Sequence, residues 1–243
     1  FQAMNDGSLP SATRAIWKRL QNETALKGFL LVGGTTLNLR IGHRESEDLD
    51  FAFPGMKLPI GQLKVLRKKF PEWTPNDNPA SYDEFLNAGM SLHDYQQDFL
   101  TAENVKITFF AEDKDACSLL GPVWESGPRV AELAEIFALK ALVSAKRSNS
   151  RDWFDLYTLI QDHGFTLHDF KRAFEKANRL KNLDIAFQRL CSAKPAESDP
   201  GFESLMPNPP TVEKMASFFR KAIDDYMVAE SSAVLTKQPP PSC

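Results

Sequence analysis

The run from Phe29 to Phe53, FLLVGGTTLNLRIGHRESEDLDFAF, constrains the fold more than any other part of this chain. A short apolar segment, Phe29 to Val32, ends in Gly33-Gly34-Thr35-Thr36, and Leu37, Leu39 and Ile41 follow at helical period. A charged turn, His43 to Glu47, then leads into Asp48-Leu49-Asp50-Phe51. The pattern predicts strand, glycine turn, helix, turn and strand. Residues i and i+2 of a strand share a face. Asp48 and Asp50 are therefore expected side by side, with Leu49, Phe51 and Phe53 turned into a core.

An Asp-x-Asp pair by itself fits a solvated strand edge, because charged residues sit mostly on surfaces. Its context supplies a chemical use. Gly33-Gly34-Thr35 would end one strand and start a helix, where unpaired backbone N–H groups and the positive end of the helix dipole favour a phosphate. The glycines allow close backbone approach, and Thr35 and Thr36 add hydroxyls. Mg²⁺ is commonly held by one or two carboxylates together with substrate phosphates. If the strands at 29–32 and 48–53 are neighbours, the phosphate site and the metal pair Asp48/Asp50 face each other. Arg44 and Ser46 lie in the turn between them. The residues of such a turn can be merely solvated, and Arg44 can also reach phosphates. The run is not a P-loop, because no Gly-Lys-Ser/Thr follows the glycines, and it lacks the Gly-x-Gly-x-x-Gly dinucleotide fingerprint.

The rest of the 243-residue chain frames this core. Residues 10–27 read as a helix ending near Gly28, and 59–70 as an amphipathic helix with Lys64, Arg67, Lys68 and Lys69 outward, either a solvated face or a docking face for RNA. Residues 71–80 read as irregular, 85–92 as a strand, and 105–110 as a better strand with Val105, Ile107 and Phe109 alternating. From residue 131 onward the signals are helical: one helix to about 146, one from an N-cap at Ser150 to Asp162, one capped by Thr166, one over 182–190, and a last one capped by Thr211. The tail from Ser231 reads as disordered. The domains expected are 1–125, mixed α/β, and 126–230, helical, in an α+β fold, with 231–243 as tail. A net charge of −3 gives no global signature of a nucleic-acid binder. Cys117, Cys191 and Cys243 are too few and too scattered for a disulfide framework or a zinc site, so a reducing, cytoplasmic setting is expected. No membrane span and no secretory signal is read; Phe1-Gln2-Ala3 reads as a protease scar ahead of a native Met4.

The residues carry a resemblance. Gly33-Gly34-Thr35-Thr36-Leu37, Arg40, Gly42-His43-Arg44 and Ser46-Glu47-Asp48-Leu49-Asp50-Phe51 resemble the first motif of the AbiEii/AbiGii toxin family, within the DNA polymerase β-like nucleotidyltransferases. Leu133-Ala134-Glu135-Ile136 with Lys140 and Ala141, then Arg147, then Arg151-Asp152-Trp153-Phe154-Asp155-Leu156-Tyr157, resemble that family's later lysine and Asp-x-x-Asp-Leu motifs. The resemblance implies a catalytic role for Asp48, Asp50, Lys140, Asp152 and Asp155. It also implies nucleotide contacts from Gly33, Gly34, Thr35, Thr36, Arg44, Ser46 and Lys140. On its own helix, Lys140 falls on the apolar stripe. It would either snorkel to water or meet phosphate as a point charge. Asp152 is equally explained as a first-turn acid favoured by the helix dipole. With Asp155 it could hold a cation such as Lys140 or Arg151.

The function these readings imply is Mg²⁺-dependent (Mn²⁺ as an alternative ion) transfer of a nucleoside monophosphate from an NTP to an acceptor. The acceptor would be RNA, with tRNA first, or protein, and the toxin would be paired with a cognate antitoxin. One departure supports an alternative, an NTP-binding module without turnover. The wider superfamily carries a third carboxylate on a later strand, and here Thr108 holds that place, with Asp94 and Asp98 nearby in sequence.

Overall fold

The computed structural model describes residues 9–236, with side chains through residue 232. The chain forms two units, Phe1–Ile136 and Phe137–Cys243. Their boundary falls inside a helix rather than at residues 125/126. Among the described residues no helix is long and apolar enough to cross a membrane.

The first unit opens with α1 (Ser11–Leu20), which buries Thr13, Ile16, Trp17 and Leu20. The helix expected to reach residue 27 stops here. Glu23 instead accepts from the Ala25 amide at 2.9 Å and starts a 3₁₀ turn over Thr24–Leu26. A side chain that bonds nearby backbone competes with helix continuation in this way. β1 (Leu30–Val32), α2 (Gly33–Ile41) and β2 (Leu49–Phe53) then form the strand–helix–strand core. After them come α3 (Ile60–Lys69), β3 (Thr74–Pro75) and α4 (Pro79–Asn87).

The strand expected over 85–92 is not formed. Asn78 caps α4 by accepting from the Ala80 amide at 3.0 Å, and Pro79 occupies the first turn. Both devices commit the segment to helix before its apolar residues begin. β4 (Gln96–Leu100), unforeseen, and β5 (Lys106–Ala111) follow, then α5 (Lys114–Cys117) and β6 (Arg129–Val130).

The six strands lie in the order β3-β4-β5-β2-β1-β6. β2 runs antiparallel to β1 and parallel to β5, so the sheet is mixed. Leu49, Phe51, Ile107, Phe109 and Phe99 form one face. They pack with Trp17, Leu63, Leu66 and Trp73 in a continuous core. Phe51 and Phe109 stack with centroids 5.3 Å apart. The opposite face of the same strands carries Asp50, Thr108 and Asp98, cross-strand partners in register.

α6 (Leu133–Ser144) leads into the second unit, with α7 (Ser150–Asp162), α8 (Leu167–Lys176), α9 (Leu183–Cys191) and α10 (Val212–Thr236). Phe137 stacks on Phe165 at 4.5 Å, and Phe170 on Phe187 at 5.5 Å, inside this helical core. α8 starts with a full capping box between Thr166 and Asp169. The cap of α7 is Asn149, which accepts from the Arg151 amide at 3.0 Å, and Ser150 is the first helical residue instead. α10 extends through 236, so residues 231–236 continue a helix where a tail was expected. The Pro239–Pro241 stretch lies outside the described residues.

Candidate active site

The first chemistry-bearing corner is made where β1 turns into α2. Val32, the last residue of β1, pairs with Asp50 on β2. Gly33 follows with φ of +75°, a left-handed conformation that places its missing Cβ position 2.6 Å from Asp50 Oδ2. Any side chain there would collide with the carboxylate. The glycine is therefore required twice, by its dihedral and by the carboxylate against it. The N-cap residue of α2, Val32, supplies no capping side chain. The first-turn amides, unpaired within a helix, thus gather at Asp50. This is the arrangement that attracts phosphate and a cation together.

The rest of the motif holds this corner in place. The Cβ position at Gly34 lies 2.6 Å from Arg44 Nη2 and 2.9 Å from Ser46 Oγ, so the second glycine lets the arginine lie across the first turn of α2. Arg44 is buried, its Nη1 donates to the Glu45 carbonyl at 3.0 Å, and its own carbonyl accepts from Asn38 Nδ2 at 2.5 Å. Thr35 donates to Ser46 Oγ at 3.0 Å and contacts the Asp48 carbonyl oxygen, while Thr36 donates to the Leu31 carbonyl at 2.8 Å. Both threonine hydroxyls are buried and thus serve the turn's architecture. Asp48 lies one residue before β2 begins and is exposed, whereas Asp50 is half-buried within the strand. Arg40 clamps α2 to the sheet edge, with Nε donating to the Ala131 carbonyl at 2.5 Å, Nη2 to the Val130 carbonyl at 3.1 Å, and Nη1 2.9 Å from Glu132. Gly33, Gly34, Thr35, Arg44, Ser46 and Asp50 are thus brought together. Asn38, on the buried side of α2, was not singled out in the sequence. Its only signal was a polar residue inside an apolar helical face.

Two arginine–carboxylate and lysine–carboxylate devices mark the second motif. In the first unit, Arg129 and Glu135 form a buried bidentate pair at 2.7 and 2.6 Å. Glu135 also accepts from the Glu132 amide at 2.6 Å and contacts the Gly121 amide. Burial alone would raise the Glu135 pKa, but Arg129 and the two amides outweigh it and lower it.

In the second unit, Lys140 Nζ lies 2.5 Å from Asp152 Oδ1 and 2.8 Å from Asp155 Oδ2. Arg147 Nε holds the other Asp152 oxygen at 2.8 Å. Asp152 and Asp155 are 1% and 0% exposed and Lys140 is 8% exposed, so the lysine does not snorkel to water. Burial pushes the Asp152 carboxyl up, yet Lys140 and Arg147 together bring it below the usual carboxylate range. The i, i+3 spacing of the two acids on α7 presents both to one ammonium.

Hard carboxylate oxygens at a helix N-terminus suit Mg²⁺, which needs few protein ligands when phosphates complete its shell. Among the described residues no three His, Cys, Asp or Glu side chains gather closely enough to hold a metal ion by themselves. Asp50 therefore fits a cation shared with a nucleotide better than a cation caged by protein. Thr108 pairs with Asp50 on β5, where its hydroxyl cannot act as an anionic ligand.

The family model described as "Nucleotidyl transferase AbiEii toxin, Type IV TA system" matches residues 15–226. An uncharacterized protein of Aquifex aeolicus (strain VF5) is 25% identical over 209 residues, spanning 82% of this chain and 88% of its own. The crystal structure of JHP933 from Helicobacter pylori is similar with 17% identity and a TM-score of 0.49, covering 93% of this chain and 97% of its own. A second structure from that species has 18% identity, a TM-score of 0.47, and coverage of 88% and 96%.

Proposed function

Because the chain belongs to the nucleotidyl transferase AbiEii toxin family, we propose that it is a Mg²⁺-dependent enzyme that transfers a nucleoside monophosphate from an NTP to RNA, with tRNA the first candidate acceptor. It would be the toxin of a Type IV toxin–antitoxin pair. The observation that carries this reading is the Gly33–Asp50 corner, where the N-terminus of α2 and a carboxylate converge within one turn of backbone.

The α2 amides and Arg44 bind the phosphates of the NTP, the amides by direct hydrogen bonds and Arg44 by its charge. Asp48 and Asp50 are the residues that would hold Mg²⁺, whose contribution when bound is to offset phosphate charge and orient the triphosphate. Gly33 and Gly34 add no side chain of their own there, which lets Asp50 and Arg44 lie close against the backbone. In the second unit, Asp152 and Asp155 fix the Lys140 ammonium between them.

Thr108 favours one second reading: a module that binds the NTP without turning it over. Incubation with each labelled NTP and total tRNA separates the two. Label transferred to tRNA by the unaltered chain, and lost with Asp48→Ala/Asp50→Ala, supports the enzyme. Tight NTP binding with no transfer supports the module.

A further inference from the structure

Lys64, Arg67 and Lys68 of α3 take no part in the corner at Gly33 and Asp50. They line one wall of a groove of about 540 Å³ in the first unit, whose other wall is β4 and the turn before it. Leu63 and Phe99 supply apolar lining, and Gln97 and His93 belong to the far wall. A cleft of several hundred Å³ with apolar lining and a few polar groups is the usual form of a ligand site.

The charges of the two walls are not balanced. The acids of the far wall are already matched, with Asp77 2.8 Å from His93 Nε2 and Asp94 2.7 Å from Lys57. Asp98 pairs in register with Thr108, on the face of the sheet opposite Phe99. On α3, Lys69 pairs with Glu23. Lys64 and Lys68 are exposed and, among the described residues, have no ion pair. The helix dipole favours the cations of the last turn, Arg67 and Lys68. It does not reach back to Lys64. Lys64 and Lys68 stand at i and i+4, about 6 Å apart along the helix, a like-charge spacing that is unfavourable unless an anion lies along it.

Arg67 adds a planar surface. Its guanidinium carbon is 4.7 Å from the centroid of the Phe99 ring, and its Nη1 donates to the Phe70 carbonyl at 3.2 Å. These two contacts fix a half-buried guanidinium in the groove wall. Arginine planes of this kind stack on bases that have left a helical stack. We propose that the groove binds one unstacked nucleotide of a single-stranded RNA segment, its base against Arg67 and its flanking phosphates on Lys64 and Lys68. The proposal rests on the reading of RNA as the acceptor. A duplex keeps its bases stacked and paired, so the groove selects single strands.

The test is fluorescence anisotropy of a labelled short single-stranded RNA with the full chain, without NTP and over a range of salt. Lys64→Ala/Lys68→Ala should weaken binding and lower the slope of log affinity against log salt by about 1.4, two phosphate contacts at about 0.7 each. Arg67→Lys keeps the charge and loses the plane. Its affinity should fall about tenfold, the scale of one stacked base, with the slope unchanged. Lys181→Ala/Lys214→Ala, which removes as much charge from exposed positions of the second unit, should alter neither quantity. Melting temperatures check that each variant is folded. Unchanged affinity and slope in both groove variants, or a duplex that binds as tightly as the single strand, overturns the proposal and leaves α3 a solvated face. Full competition by free nucleoside monophosphates overturns it too, because the groove is then a mononucleotide pocket. Label transfer to tRNA by the unaltered chain, with groove variants that bind RNA normally, sinks this inference alone. Neither transfer nor RNA binding by the unaltered chain removes the RNA-acceptor reading with it.

Discussion

The Gly33–Asp50 corner and the Lys140–Asp152–Asp155 cluster place charge in opposite ways. The first sets a half-buried carboxylate beside the first turn of a helix, with the side chains around it engaged in holding the turn. The second buries a lysine against two carboxylates and closes the charges on one another. A helix N-terminus beside a half-buried carboxylate stays within reach of a charged ligand, whereas a lysine closed on two buried carboxylates becomes part of the core. The comparison predicts that changes in the cluster register first as lost stability, and changes at the corner first as lost ligand binding.

The sharpest break is Lys140→Met, which removes the ammonium that the buried Asp152 and Asp155 share. Removing one partner of a buried ion pair costs about 3–5 kcal/mol, so urea unfolding should show a midpoint shift that is large for a chain of this size. Gly33→Ala comes next. Its left-handed backbone costs about 1–2 kcal/mol, and its Cβ must displace the Asp50 carboxylate. NTP affinity by fluorescence titration should fall more steeply than stability does.

Gly34→Ala should be milder in stability, because its Cβ meets the ends of the Arg44 and Ser46 side chains. Weaker triphosphate binding with a nearly normal melting temperature is the expected result. The smallest effect is the pH response of Asp152. Its folded pKa is lowered, so its contribution to stability is present above the unfolded carboxylate value of about 3.9. That contribution is lost as pH falls through the lower, folded value. Asp152→Asn should therefore flatten the acid limb of a stability-versus-pH curve and leave its shape near neutral pH unchanged.

The two regions also differed in how far the sequence disclosed them. The Gly33–Asp50 corner is local: its strand, turn and strand lie within 25 residues, and the pairing of β1 with β2 follows from one short connection. Lys140 with Asp152 and Asp155 was legible for a similar reason, since helical period brings i and i+3 acids to one face, although that period could not say that the lysine would be buried. The alignment of Asp98 with Thr108 and Asp50 was not legible, because it depends on the register of β4 against β5 and of β5 against β2, and β4 carries no alternation of polar and apolar residues. α4 was misread because Phe85 to Leu92 looked apolar enough for a strand, while the decisive signal, Asn78-Pro79, lay upstream as a cap. At α7 the cap was misplaced by one residue because Asn149 and Ser150 are both good caps, and only the bond to the Arg151 amide decides between them.

The central claim, that the corner at Gly33 and Asp50 carries nucleotide transfer, is tested most directly by the mass of a purified tRNA pool after incubation with each NTP. The account predicts a gain of whole nucleoside monophosphate units with the unaltered chain and none with Asp48→Ala/Asp50→Ala. An unchanged tRNA mass with all four NTPs, or the same gain in the double variant, would contradict it.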